Sequence, residues 1–251
     1  MPGLTTTNFP QTMPVIVEAD IFLYPFMIAP LFFNADDANI EAIDMALESD
    51  STILILPAKS NETTRNLDNI YENGVVGTIM RKVPLPDGRI KILFQGLQKA
   101  KVTEFLDDQF LTATVEEMKL DPSNELKVNA TLGILREKIR TLSTLSDAFP
   151  PELLKTIESN YDSDRIVDLI ASTIRLKKEA AYKLFSSSSL EERLLLLIEY
   201  ISITIDENKI KKKIKSKVHS KIDKVNREYF LKEQLKQIQK ELGTDDSREE
   251  E

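Results

Sequence analysis

Between Leu190 and Leu242 the chain runs for fifty-three residues without a glycine or a proline. If helical throughout, such a run extends roughly 80 Å at 1.5 Å per residue, more than a compact bundle can cover. At its head, Ser189-Leu190-Glu191-Glu192 fits a capping box. The serine accepts from the third helical amide, and Glu192 reaches back to the amide of the cap. The run therefore either breaks or stands clear as a lever or coiled coil. The second outcome is expected, because two groups of apolar residues step by threes and fours along it. The first is Ile210, Ile214, Val218, Ile222, Val225 and Tyr229; the second is Leu231, Leu235, Ile238 and Leu242. A seam so thin suits one partner helix rather than a core.

Upstream the chain reads differently. Six of the seven glycines lie at or before Gly133 and no proline follows Pro151, so turns belong to the first half and helices to the second. Ile53-Leu54-Ile55-Leu56 and Val75 to Met80 are β-branched runs, and Ile90 to Phe94 alternates loosely, as strands do. Val102 to Phe105 and Phe110 to Val115 extend the set. Pro84-Leu85-Pro86-Asp87-Gly88 lies between two of these runs, and Asp-Gly supplies the backbone angles of a tight turn, which predicts a hairpin over 75–94. Asp36 to Ser49 places Ile40, Ile43, Ala46 and Leu47 at helical spacing, so one helix interrupts the strands. Asp121-Pro122 reads as an N-cap with proline at the first helical position, and Pro150-Pro151 opens a further helical segment. The expected class is α+β: a β-rich lobe over 1–120 with a small closed or nearly closed sheet, an all-α lobe over 121–188, and a very long helix over 189–243. Residues 244–251 read as the acidic first turn of a truncated helix.

Little chemistry is on offer. There is no cysteine, which removes disulfides, thiolate metal sites and cysteine nucleophiles and favours a reducing cytoplasm. The single histidine, His219, stands among lysines, so neither a zinc site nor a serine triad assembles, and no metal ligands are expected. No phosphate-loop motif occurs, and carboxylate pairs such as Glu116-Glu117 are adjacent, so their side chains diverge. The apolar stretch Ile21 to Phe33 is thirteen residues long with two prolines, too short and broken to span a bilayer, and no membrane partner is expected. The first twenty residues hold no lysine or arginine, which argues against a secretory or mitochondrial leader. No catalytic residue is assigned.

Surfaces remain. Phe22, Tyr24, Phe26, Phe32 and Phe33, five of the seventeen aromatics, fall within twelve positions, and the prolines among them forbid burying all along one regular element. On a strand Tyr24 and Phe26 share a face with Phe22, which leaves the other parity as the exposed candidate for holding unfolded segments. The net charge of -8 resides in the first half, with 9 basic against 17 acidic residues up to Leu120 and 24 against 24 beyond. Such a lobe attracts degradation signals with basic flanks weakly and in a salt-dependent way. Against this stands a polyanion reading: Lys209, Lys211, Lys212, Lys213, Lys215, Lys217, Lys221 and Lys224 are opposed in their interval only by Asp223. No arginine or aromatic accompanies them, which argues against base readout or stacking.

A family likeness enters at the far end. Asn226-Arg227-Glu228-Tyr229-Phe230-Leu231-Lys232-Glu233-Gln234-Leu235-Lys236-Gln237-Ile238-Gln239-Lys240-Glu241-Leu242-Gly243 closely resembles the helix that precedes the ATPase module of Lon proteases. Tyr24-Pro25-Phe26-Met27-Ile28-Ala29-Pro30-Leu31-Phe32 resembles the family's proline-punctuated N-terminal segment, Leu85 to Leu93 its hairpin, and Glu192-Arg193-Leu194 its ERL at the start of the long helix. The resemblance implies a PUA-like pseudo-barrel lobe, a helical lobe and a long helix leading into a hexameric ATPase and serine protease. It implies recognition of unfolded or degron-bearing proteins in protein quality control and a cytoplasmic setting. It also lends some support to DNA or polyphosphate as partners. Family members continue into Walker motifs and a Ser-Lys dyad, whereas this sequence stops at Ser247-Arg248-Glu249-Glu250-Glu251, so a fragment that binds but does not cleave is expected. No cofactor is expected in it, ATP and magnesium being those of the full-length family.

The seam left alone in a fragment should favour weak dimers. Replacing Ile214 and Val218 by Asp is predicted to abolish that self-association and leave the β lobe folded. An unchanged mass in sedimentation would remove the seam from the argument.

Overall fold

The computed structural model describes residues 11–35, 37, 39–60, 66–107, 111–146, 149–160, 162–174 and 176–241. The expected strand start at Phe110, the seam residue Leu242, Gly243 and the acidic stretch 244–251 lie outside the described residues.

Six strands make one mixed sheet, the α+β class expected: β1 (Thr12–Glu18), β2 (Ile28–Asn34), β3 (Thr52–Pro57), β4 (Asn73–Pro84), β5 (Arg89–Asp107) and β6 (Leu111–Glu117). Their order is β2-β5-β4-β3-β1-β6, and β5 also pairs with β6, so five strands close into a ring and β2 lies outside it on β5. Closure is possible because β5 is nineteen residues long and changes partners along its length. It pairs with β2 over Arg89 to Gln95 and with β6 over Ala100 to Asp107. The separate runs read at Ile90–Phe94 and Val102–Phe105 are thus two ends of one strand. Gly96 lies between them without ending the strand, and irregularities in the β4 and β6 registers absorb the bend. The hairpin over 75–94 is observed, with Gly88 at φ 84 and the Asp87 carboxylate accepting from the Arg89 amide at 3.1 Å.

β1 and β3 pair in parallel, which requires a crossover, and α1 (Ile40–Glu48) lies within it. The helix begins at Ile40, after Asn39; Asp36, the first residue of the segment read as helical, lies outside the described residues. Asn39 lends nothing to capping: its side chain is turned onto β1, accepting from the Val17 amide at 3.0 Å and donating to the Val17 carbonyl at 3.3 Å. Val15, Val17, Leu54, Leu56, Val76, Val102 and Val115 meet in one apolar cluster. Ile16, Ile53 and Ile55, on the opposite faces of β1 and β3, are buried too, so neither strand alternates. Gly77 is needed for this packing, since a Cβ there would lie 2.2 Å from the Gln95 carbonyl oxygen and 2.4 Å from the Phe94 ring.

The helices are α2 (Glu125–Ser143), α3 (Pro151–Ser159), α4 (Ser163–Ile174), α5 (Lys178–Ser186) and α6 (Leu190–Glu241). The cap expected at Asp121 falls instead at Asn124, whose side chain accepts from the Leu126 and Lys127 amides at 3.1 and 3.2 Å. Asp121 is engaged elsewhere: its amide donates to the Ser188 carbonyl at 2.9 Å and its carboxylate accepts from the Ser188 hydroxyl. Ser189 does cap α6, accepting from the Glu192 amide at 3.2 Å. The return arm differs from a capping box, because the Glu192 carboxylate takes the Ser187 hydroxyl at 2.6 Å, and Ser187 in turn accepts from the Ser189 amide.

α6 is continuous over 52 residues. By contacts the chain forms two units, Met1–Ile201 and Ser202–Glu251. The first holds the sheet, α1 to α5 and the first turns of α6. In the described part of the second, every residue from 209 to 240 is exposed. Among the described residues no helix is long and apolar enough to cross a membrane.

Gly77→Ala is predicted to destabilise the first unit by about 2 kcal/mol or more, since the obstructing atoms are backbone and a buried ring. Thermal unfolding checks this against Gly133→Ala, a helical site where a Cβ meets nothing within 4 Å.

Candidate functional site: exposed aromatics beside a buried charge cluster

The structure separates the five clustered aromatics into three environments. Residues 19–27 are not a strand, so the parity expected for them does not apply: Tyr24 is 3% exposed and Phe26 55%. Phe26 has a φ of 63, a conformation a bulky side chain adopts only where its surroundings hold it. Two backbone bonds do so, with the Phe26 amide donating to the Gly96 carbonyl and the Gly96 amide to the Met27 carbonyl, both at 2.9 Å. From Ile28 onward β2 alternates strictly. Phe33 is buried with Ala29 and Leu31, and Phe32 is exposed with Ile28 and Pro30.

Phe22 and Tyr24 turn toward the helices. The Phe22 ring lies 5.2 Å from Tyr24 and 5.4 Å from Phe185 on α5, with Tyr24 6.0 Å from Phe185. Beside them is a recess of about 520 Å³ lined by Phe22, Tyr24, Met27, Ala171 and Leu176 among others. The Tyr24 hydroxyl is buried without a hydrogen-bond partner among the described residues. Burial pushes its pKa up, and the nearby Asp168 carboxylate adds to the rise.

Behind the aromatics lies a charge cluster. Arg193, on the first turns of α6, is wholly buried. Its guanidinium contacts Asp164 and Asp168 on α4 and donates to the Leu184 carbonyl at 3.0 Å. Lys99 on β5 reaches the same carboxylates, 3.0 Å from Asp168 and 3.6 Å from Asp164, with its ammonium 5.1 Å from the centre of the Phe185 ring. Two cations thus meet two anions, and the cluster is neutral. Burial pushes the Asp168 carboxyl up, against the pull of Lys99, and pushes the Lys99 ammonium and the Arg193 guanidinium down.

None of these four residues was assigned a role from sequence. The signal was present in their spacing: Arg193 shares a helix face with the buried Leu190, Leu194 and Leu197, and Asp168 stands between Val167 and Ile170 in a buried run. A charge at core spacing points to a buried partner, and periodicity cannot say which one.

Around the exposed aromatics the local charge is positive although the lobe is acidic. Arg165 stands 4.3 Å from the centre of the Phe26 ring; Arg89 and Lys91 stand 5.6 and 5.8 Å from that of Phe32. Each cation lies within cation–π range. Along α6, the seam residues Ile210, Ile214, Val218, Ile222, Val225 and Tyr229 are all more than half exposed. The lysines Lys211, Lys212, Lys213, Lys215 and Lys217 are exposed beside them. Among the described residues no three histidines, cysteines or carboxylates gather as metal ligands.

Residues 12–202 match the profile of the ATP-dependent protease La (LON) substrate-binding domain. The Lon protease of Campylobacter jejuni is 52% identical over 244 residues, 97% of this chain and 31% of that protein. The Lon protease of Helicobacter pylori is 42% identical over 248 residues, 98% of this chain and 30% of that protein. The chain therefore spans about 30% of the length of these relatives. Among solved structures, the N-terminal domain of the Mycobacterium avium complex Lon protease superposes with a TM-score of 0.64 at 21% identity. That match covers 76% of this chain and 98% of that one, and shows the shared fold.

Removing one member of the cluster strands the others. Asp168→Ala leaves Lys99 and Arg193 short of a carboxylate in the interior and is predicted to cost about 3–5 kcal/mol of stability. Replacing Lys99, Asp164, Asp168 and Arg193 together by methionine and leucine should cost much less, because no unpaired charge is left buried. Urea unfolding of the two variants makes the comparison.

Proposed function

The chain belongs to the family of Lon substrate-binding domains, and on that premise we propose that it selects unfolded or degron-bearing proteins for an ATP-dependent serine protease of the cytoplasm. The observation that carries this reading is the placement of Phe26 and Phe32, about half exposed on a folded lobe where the neighbouring Tyr24 and Phe33 are buried. An apolar side chain held open at a fixed backbone position offers a preformed contact for polypeptide that has lost its own core. Phe22, at the edge of the recess, extends the contact surface, whereas Tyr24 and Phe33 support it from within.

The recognition part is 1–120 and the helical part 121–188. The chain binds and does not cleave, and the hydrolysis of ATP, with magnesium, and of peptides is assigned to parts of the relatives that it does not span. α6 contributes to organising the subunits of a hexamer through the seam from Ile210 to Tyr229. The lysines of 209–224 carry no comparable support for a polyanion role, since no arginine or aromatic accompanies them in that interval. They are charge on an exposed helix, which keeps the seam in water until a partner helix covers it.

Fluorescence anisotropy tests the reading with two probes, a labelled permanently unfolded polypeptide and a labelled DNA duplex, each at low and physiological salt. The polypeptide is expected to bind and the duplex not. Binding of the duplex alone, with a steep dependence on salt, would transfer the function to the lysine helix.

A further inference from the structure

β2 is the one strand outside the closed ring, and among the described residues only β5 pairs with it. The direction of its backbone groups follows from the register. The Gly96 amide donates to the Met27 carbonyl at 2.9 Å, so residue 27 stands in a hydrogen-bonded pair. In an antiparallel ladder such pairs alternate with non-bonded ones, which places Ala29, Leu31 and Phe33 toward β5. The amide and carbonyl groups of Ile28 and Phe32 and the carbonyl of Pro30 then point away from the sheet. Pro30 agrees with this assignment, because a residue without an N–H fits the ladder only where that N–H would face outward. At the far end the edge is closed, the Asn34 carbonyl accepting from the Asp37 amide at 3.0 Å. The open stretch from Ile28 to Phe32 is about 16 Å long at strand rise.

The exposed face of the same edge has a definite chemistry. Ile28, Pro30 and Phe32 are apolar and exposed, and opposite them on β5 stand Gln95, Leu93 and Lys91, with Arg89 opposite Asn34. Arg81 stands opposite Leu93 on β4. Asp87 pairs with Arg89 at 2.7 Å, and among the described residues neither Lys91 nor Arg81 has an ion-pair partner. The edge is thus apolar with a cationic border inside an acidic lobe.

We propose that the β2 edge captures an extended segment of an unfolded polypeptide as an added strand, favouring segments that alternate apolar and acidic side chains. The inference deepens the substrate-binding reading above and rests on it. Backbone pairing explains how one site accepts many sequences, because every polypeptide has the same amides and carbonyls. The border supplies the preference: Arg89 and Lys91 lean over Phe32 and meet acidic side chains of the incoming strand, whereas basic ones are repelled. It also disfavours pairing of β2 with β2 of a second copy, which would set two cationic faces side by side.

The test uses this chain with a labelled seven-residue peptide of alternating valine and glutamate, and two forms of it N-methylated on alternate amides. One N-methylated form is expected to lose affinity by about tenfold or more, as the hydrogen bonds to the Ile28, Pro30 and Phe32 carbonyls disappear, while the other binds like the parent. Equal binding of the two forms, or no binding of the parent, overturns strand addition. Exchange of glutamate for lysine in the peptide should weaken binding, and unchanged binding overturns the proposed partner chemistry. Phe32→Pro should bind the parent peptide about three- to tenfold more weakly than Phe32→Ala, since both lack the ring and only the proline lacks the outward amide. Circular dichroism confirms that both variants fold. An unfolded polypeptide that binds equally to wild type and Phe32→Pro, with no binding of the peptide, would sink the edge and leave the recognition reading standing. Failure of the polypeptide itself would sink both, and dimers of this chain that dissolve in Phe32→Pro while the peptide stays unbound would give the edge to a second copy.

Discussion

Arg193 is the residue around which the first unit is arranged. A guanidinium removed from water is costly unless its charge and donors are met, and the cost fixes where its partners must stand. Two carboxylates from α4 and a carbonyl at the end of α5 meet it, and Lys99 from β5 completes the neutral set. The first turns of α6, the helical lobe and the closed sheet therefore share one condition. Apolar contacts alone would tolerate sliding of these surfaces; a buried charge with short contacts to several elements does not. The Phe22, Tyr24 and Phe185 rings pack on one another beside it, with the Lys99 ammonium 5.1 Å from the centre of the Phe185 ring.

That junction also decides what is left for binding. The chain leaves β1, sends Phe22 and Tyr24 toward α5, and then must turn into β2. Phe26 occupies the turn, at a positive φ fixed by the bonds that Gly96 makes with the Phe26 amide and the Met27 carbonyl, and cannot follow its neighbours inward. Phe32 is turned outward by the strand's alternation, because Leu31 and Phe33 already fill the inner side. Two phenylalanines are thus exposed as a consequence of packing elsewhere. The cations beside them, Arg165, Arg89 and Lys91, reverse the local sign of an acidic lobe, so that its attraction for basic flanks is not what a segment lying on these rings would meet.

Much of the architecture was legible beforehand. The hairpin was marked by Asp87-Gly88, the start of α6 by Ser189, and its length by the lack of glycine and proline. The two strands that the sequence hid were β1 and β2. β1 is buried on both faces and shows no alternation, and β2 carries Pro30, which reads as a break unless the strand is known to be an edge. The cap of α2 was misplaced by three residues because Asp121 and Asn124 are equally good caps in isolation. Contact with Ser188, distant in sequence, chose between them. The candidate site was legible only as a cluster of aromatics.

By itself the sequence determined the α+β class, the succession of strands and then helices, and the continuous helix, since these follow from residue types and from spacings within a few turns. Only the tertiary structure decided that Tyr24 and Phe33 are core while Phe26 and Phe32 face water, that Arg193, Asp168, Asp164 and Lys99 meet, and that among the described residues β2 pairs with β5 alone. The reason is range. Turn chemistry and periodicity act between neighbours, whereas Arg193 finds Asp168 from 25 residues away and Asn39 finds Val17 from 22. Exposure and charge pairing belong to surfaces that exist only once the chain has closed on itself.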